Sequence, residues 1–266
     1  MAKREERTKR ADSKSNSRVD RNDRNQFLQQ TTYDRLAQEQ YEFDRANPKR
    51  KNVDLIPRNL TQEKYIKALT DNSQSIVFAM GPAGTGKTLL ATQYAIKAFK
   101  AGMIKKIIIS RPAVSVDEQH GFLPGTLVEK LAPWVIPIMD VFKEYYRPQQ
   151  IEQMLLDEQI EIAPLAYMRG RNLKDCVVIL DESQNCTPSQ VKMVLTRISE
   201  GCKMIVTGDI NQHDRGFEKN GLKDFTDRLA LSEGINGITV IKFANGDIER
   251  HPIVAAVLDL YGDDVK

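Results

Sequence analysis

The chain has 266 residues, 41% of them hydrophobic, with 39 Lys and Arg against 36 Asp and Glu. At roughly 100–200 residues per domain this allows one sizeable domain with additions, and the apolar share supports a packed core rather than a wholly disordered chain. No window nears the roughly 18 consecutive apolar residues of a membrane span, the basic start lacks the apolar stretch of a signal peptide, and three cysteines without paired short spacing argue against a disulfide framework or a zinc site, so a cytoplasmic setting is expected.

The net charge of +3 is unevenly spread: residues 1–59 carry 15 basic and 10 acidic side chains, and residues 60–266 carry the other 24 and 26. The opening MAKREERTKRADSKSNSRVDRNDRN is charged, nearly free of apolar residues and aperiodic, and reads as a disordered basic arm. Within it, Tyr33, Leu36, Tyr41 and Phe43 stand at loose helical spacing, which allows a short docking helix. A folded domain is expected over 60–266, following Asn59.

The body alternates short apolar runs with helix-like segments. SIVFAM (75–80), KKIIIS (105–110), CVVIL (176–180), KMIVT (203–207) and ITVIKF (238–243) are too short for helices and rich in β-branched residues. Several are apolar throughout, as strands buried on both faces are. Between them, residues 88–102, 129–146, 189–199 and 220–231 carry helical patterns, the first closed by Gly102. In the second, Pro133 reads as the start of a core helix, while the segment Leu131–Met139 with the only Trp, Trp134, is as well suited to an interface. Strand–helix alternation predicts an α/β fold with a mostly parallel sheet covered by helices on both faces.

One motif sets the chemistry. After SIVFAM comes Gly81-Pro82-Ala83-Gly84-Thr85-Gly86-Lys87-Thr88, followed by Leu89, which matches G-x-x-x-x-G-K-[ST] with a strand before it and a helix after. Such a loop turns backbone N–H groups toward phosphate at a helix N-terminus, whose dipole favours negative charge. Lys87 can reach the β- and γ-phosphates, and the Thr88 hydroxyl can ligate Mg²⁺. CVVIL then ends in Asp181-Glu182, at the carboxyl rim where open α/β sheets bind ligands. Asp181 is expected to hold Mg²⁺ and Glu182 to act as the base that polarises water. One strand later, KMIVT leads into Gly208-Asp209-Ile210-Asn211-Gln212, where Gln212 can sense phosphate or orient water.

GPAGTGKT, ILDESQN and TGDINQ resemble the nucleotide-handling motifs of superfamily 1 helicases. With LTQEKYIKAL (60–69), RPAV and GFLPG, YMRGRNLKDCVVILDESQN and DIERHPIV (247–254), the body more narrowly resembles the PhoH-like family of phosphate-starvation-inducible ATPases. The usual Asp-Glu-Ala-Gln of that family is Asp181-Glu182-Ser183-Gln184 here. The resemblance implies a single RecA-like P-loop core that binds ATP with Mg²⁺ and works on RNA or single-stranded nucleic acid. It also implies that Gln62 reads the adenine edge, with helix capping by Thr61 and Gln62 as the other reading. Arg111, Arg169 and Arg171 are candidate phosphate or nucleic-acid contacts, each also a plausible ion-pair partner. Arg250 is expected to act on the γ-phosphate. A lone core takes such an arginine from a neighbour, so a homo-oligomeric ring with ATP at subunit interfaces is expected. The resemblance points to a hexamer. An ATP-binding scaffold or a small-molecule kinase on the same loop are the alternatives; the base Glu182 stands against the first and the terminal Gln212 against the second.

Overall fold

The computed structural model describes residues 52–112, 127–212, 219–249 and 253, with residues 127–134 described by backbone alone. Residues 1–51 of the expected arm, with its docking helix, and Arg250 lie outside these residues. Six strands form the frame: β1 (Ile76–Met80), β2 (Lys106–Ser110), β3 (Ile160–Ile162), β4 (Cys176–Leu180), β5 (Lys203–Gly208) and β6 (Ile238–Lys242). They make one sheet in the order β3-β2-β4-β5-β1-β6, and every pairing is parallel. The helices are α1 (Leu60–Thr70), α2 (Lys87–Lys100), α3 (Leu127–Tyr145), α4 (Pro148–Leu156), α5 (Pro188–Leu195) and α6 (Gly221–Ala230).

Period-two alternation sorts the strand side chains into two cores. Val77, Ala79, Ile107, Ile109, Val177, Ile179 and Ile205 face one cluster with residues of α1 to α4. Phe78, Ile108, Val178, Leu180, Met204 and Val206 face the other, with Val191 and Val194 of α5 and Leu222 of α6. Since both faces are covered, β1 and β4 are buried at every position, which is why they read as unbroken apolar runs. The expected α/β fold with helices on both faces is the one observed. Because β5 stands between β1 and β4, the phosphate-loop strand and the strand ending in Asp181 are not neighbours, the arrangement of a RecA-like core.

Chain-local chemistry sets the element ends. Gly102, at φ 70, ends α2: its N–H donates to the Phe99 carbonyl, and that of Met103 to Ala98. Thr187 caps α5 with Pro188 in its first turn, and the helix stops at Leu195, short of the expected 199. There the chain leaves the helix so that Ile198 can pair with Leu173. Helix α3 begins at Leu127, so Pro133 lies inside it and does not start it. Each proline removes a backbone donor, yet Val135, Ile138 and Phe142 are buried in the first core, and that burial holds the helix through Pro133 and Pro137.

Strand β3 and helix α4 lack a signal in the reading above, and for α1 the cap was expected at Thr61 and Gln62. Strand β3 has three residues in an acidic stretch, too short for a period to show. Helix α4 carries only Ile151 and Met154 as buried anchors. Helix α1 is capped by Asn59, whose Oδ1 accepts the Gln62 N–H at 2.8 Å.

Candidate active site

The phosphate loop joins β1 to α2 and turns on its glycines. Gly86, the residue before α2, sits at φ 81, where a side chain would be strained. Gly81 lies against the backbone of Phe243, so a Cβ there would collide with main chain. Two neighbouring strands fasten the loop: the Gly81 N–H donates to Gly208 O, and the Phe243 N–H to Met80 O. At the rim, the Glu249 N–H donates to Gly84 O at 2.9 Å and the Asn59 amide to Asp247 O at 3.4 Å.

Gln62 is buried behind this loop, and both ends of its amide are engaged within the protein, one of them in the expected capping. Its oxygen accepts the Arg58 N–H at 2.8 Å, a capping contact at the start of α1, and its NH₂ donates to the Thr85 carbonyl at 3.1 Å. Helix α1 is thereby joined to the phosphate loop. Tyr65 adds a second tie, its hydroxyl donating to Lys87 O at 3.3 Å.

Lys87 folds back over the loop, where its ammonium donates to Gly81 O at 2.7 Å, Pro82 O at 2.6 Å and Thr85 Oγ1 at 3.2 Å. Burial pushes the lysine below its ordinary range, while the carboxylates of Asp209, Glu182 and Asp181 pull the other way. An anion in the loop would give this amine the counter-charge that the carbonyls supply only in part.

The carboxylate side of the site comes from β4. Asp181 Oδ1 accepts hydrogen bonds from Thr88 Oγ1 at 2.9 Å and from Thr207 Oγ1 at 2.5 Å. A hydroxyl and a carboxylate oxygen side by side form a hard-oxygen donor pair, which fits Mg²⁺. Glu182 follows at φ 52, in the left-handed region that non-glycine residues seldom occupy. Its Oε1 stands 3.9 Å from the Arg111 guanidinium.

These parts meet in one open cleft of about 290 Å³. Ala83, Gly84, Gly86, Lys87, Thr88 and Leu89 line it from the loop, Asp181 and Glu182 from β4, and Gly208, Asp209 and Gln212 from the end of β5. Gly81, Pro82, Thr85 and Gln62 support the loop from behind. Arg171 is an ion-pair partner of Glu161, with bonds of 2.5 and 2.9 Å, and Arg169 is exposed outside the cleft lining. The motif reading gave no role to Thr207, Asp209 or Gln184. A hydroxyl just before Gly208 was the available signal for Thr207, and for Gln184 and Asp209 it was their place in ILDESQN and TGDINQ.

The assembly of phosphate loop, a carboxylate beside the Thr88 hydroxyl and a second acidic residue has the layout of a P-loop NTPase site. Among the described residues no helix is long and apolar enough to cross a membrane. A PhoH-like protein of Bacillus subtilis (strain 168) is 47% identical over 206 residues, which cover 77% of this chain and 63% of that protein. Protein PhoH of Escherichia coli (strain K12) is 38% identical over 220 residues, covering 81% and 60%. The chain thus spans about three fifths of the length of these curated relatives. A crystal structure of Pif1 helicase from Candida albicans overlaps 78% of this chain and 44% of its own at 16% identity and a TM-score of 0.39, too loose a likeness to bear on function. The PhoH-like protein family matches residues 54–262, nearly the whole described fold and most of the sequence, and the chain belongs to that family.

Proposed function

We propose that the chain is a Mg²⁺-dependent ATPase whose hydrolysis is coupled to RNA or another single-stranded nucleic acid. The observation that carries this reading is the meeting of Lys87, Thr88, Asp181, Glu182 and Gln212 in one cleft. Thr88 and Asp181 would hold Mg²⁺, which when bound supplies positive charge against the β- and γ-phosphate oxygens. Lys87 exchanges loop carbonyls for phosphate oxygens. Glu182 accepts the proton of the attacking water, and Gln212 orients that water or the γ-phosphate. Gln62 ties the start of α1 to the loop and is the residue through which an adenine edge would be read.

Nucleic-acid coupling draws support from the helicase-like order of motifs. Purified chain should release phosphate from Mg·ATP severalfold faster with single-stranded RNA than without it. Equal rates at saturating RNA would remove the coupling and leave a plain ATPase.

A hexameric ring, in which Arg250 of one subunit serves the site of the next, is the proposed working form, since one core lacks a second core to supply that arginine. One contact favours a second reading: Glu249 is anchored on Gly84 of its own chain, which suits Arg250 acting in the same subunit. Mixing Glu182→Gln with Arg250→Ala subunits separates the two. If the arginine acts between subunits, the mixture regains activity that neither variant has; if it acts within one, the mixture stays inactive.

A further inference from the structure

Immediately after Glu182 the chain enters a short 3₁₀ turn, Ser183–Asn185. The turn carries Gln184 back to the base, and its Nε2 donates to Glu182 Oε2 at 2.5 Å. The other end of the same amide, Oε1, accepts the Asp209 N–H at 3.0 Å, at the end of β5. A backbone N–H can only donate, so the atom facing Asp209 is the oxygen and the NH₂ is left for the carboxylate. Gln184 is 1% exposed, so one buried side chain spans the base and the loop that carries Gln212.

The surroundings are shaped for this link. A Cβ on Gly208 would stand 2.7 Å from Gln184 Oε1 and 2.9 Å from Ser183 Oγ, so only glycine lets β5 approach so closely. Ser183 Oγ donates to Thr207 O at 2.7 Å, and Thr207 Oγ1 donates to Asp181. The ends of β4 and β5 are therefore joined at Asp181, Ser183 and Gln184, and of these only Gln184 touches the Glu182 carboxylate in these bonds. Glu182 needs such a hold, because its left-handed backbone (φ 52) is not one that this residue adopts by itself. Its other oxygen faces Arg111, so the carboxylate is flanked on both sides.

We propose that Gln184 is a positioning residue for hydrolysis, aiming the Glu182 carboxylate and tying that aim to the loop that carries Asp209 and Gln212. Contact of that loop with the γ-phosphate then aligns the base through the amide, so the base is in place when the nucleotide is. This inference rests on the hydrolytic reading of the site above.

Gln184→Glu is the discriminating variant, since it keeps an acceptor for the Asp209 N–H but sets a carboxylate against Glu182. Misaligning a catalytic group by an ångström can cost about 100-fold, and kcat should fall by that order while KM for ATP changes little. In the Glu182→Gln background the same change should add nothing, because the residue acts through Glu182. Gln184→Asn, neutral and too short to span both partners, should show the same kcat loss and serves if Gln184→Glu folds poorly. Wild-type rates in Gln184→Glu, or losses that multiply in the double variant, would overturn the proposal. A wild-type chain without any turnover would instead overturn the hydrolytic reading.

Discussion

Glu182→Gln is expected to bind Mg·ATP about as well as the wild type and to hydrolyse it at least about 100-fold more slowly, a loss of roughly 2.7 kcal/mol of transition-state stabilisation. The change is isosteric and keeps an acceptor toward Gln184 Nε2, so the turn Ser183–Asn185 should survive it. What it removes is the carboxylate proposed to take the proton from water. Asp181 is not placed to substitute, because its Oδ1 accepts from Thr88 and Thr207 and, in the proposed reading, serves Mg²⁺. Equilibrium binding of a fluorescent ATP analogue, paired with steady-state phosphate release, separates binding from turnover. Equal rates in the two proteins would take the base assignment away from Glu182.

Lys87→Ala should fail at the earlier step. Hydrogen bonds to charged groups contribute about 1.5–3 kcal/mol each, so losing contacts to the β- and γ-phosphates should weaken ATP binding by about 100-fold or more. The free protein should be nearly unharmed, since burial already opposes the charge on this amine. The carbonyls of Gly81 and Pro82 and the Thr85 hydroxyl lose a donor, a cost that water in the open cleft can offset. Thermal melts with and without Mg·ATP read this directly. A ligand that binds only the folded state raises the midpoint through its occupancy, so the wild type should gain stability with nucleotide and Lys87→Ala should not. A variant that is stabilised like the wild type would show that phosphate is held elsewhere.

The parts of this site that depend on local spacing were legible in the sequence. GPAGTGKT has its form because a tight turn, a backbone approach to phosphate and a helix start follow one another in the chain. Asp181-Glu182 and Gln212 could be placed at the cleft because each ends a strand or begins the loop after it, and strand ends in a parallel sheet share one rim. The five short apolar runs became β1, β2, β4, β5 and β6; burial on both faces explains the unbroken pattern of the inner strands, while β6 at the sheet edge is only half-buried. Strand β3 was not legible: an edge strand of three residues in DEQIEIA has one buried position, Ile160. Helix α3 misled because proline is a start signal only where burial does not outweigh it. The support around the base was out of reach for a different reason. Thr207 meets Asp181 across 26 residues, and Gln184 meets Asp209 across 25, contacts made by the β4–β5 pairing and by no local pattern. Gln62 lay between, its helix start visible and its bond to Thr85 not.

Phosphate release from ATP by the purified chain, measured with Mg²⁺ and with the metal chelated, beside Glu182→Gln in the same assay, bears most directly on the central claim. Turnover that requires Mg²⁺ and is lost in Glu182→Gln, while that variant still binds nucleotide, is the result this site predicts. No release by the wild type above the level of the variant, despite bound ATP, would contradict it and leave a nucleotide-binding protein without hydrolysis.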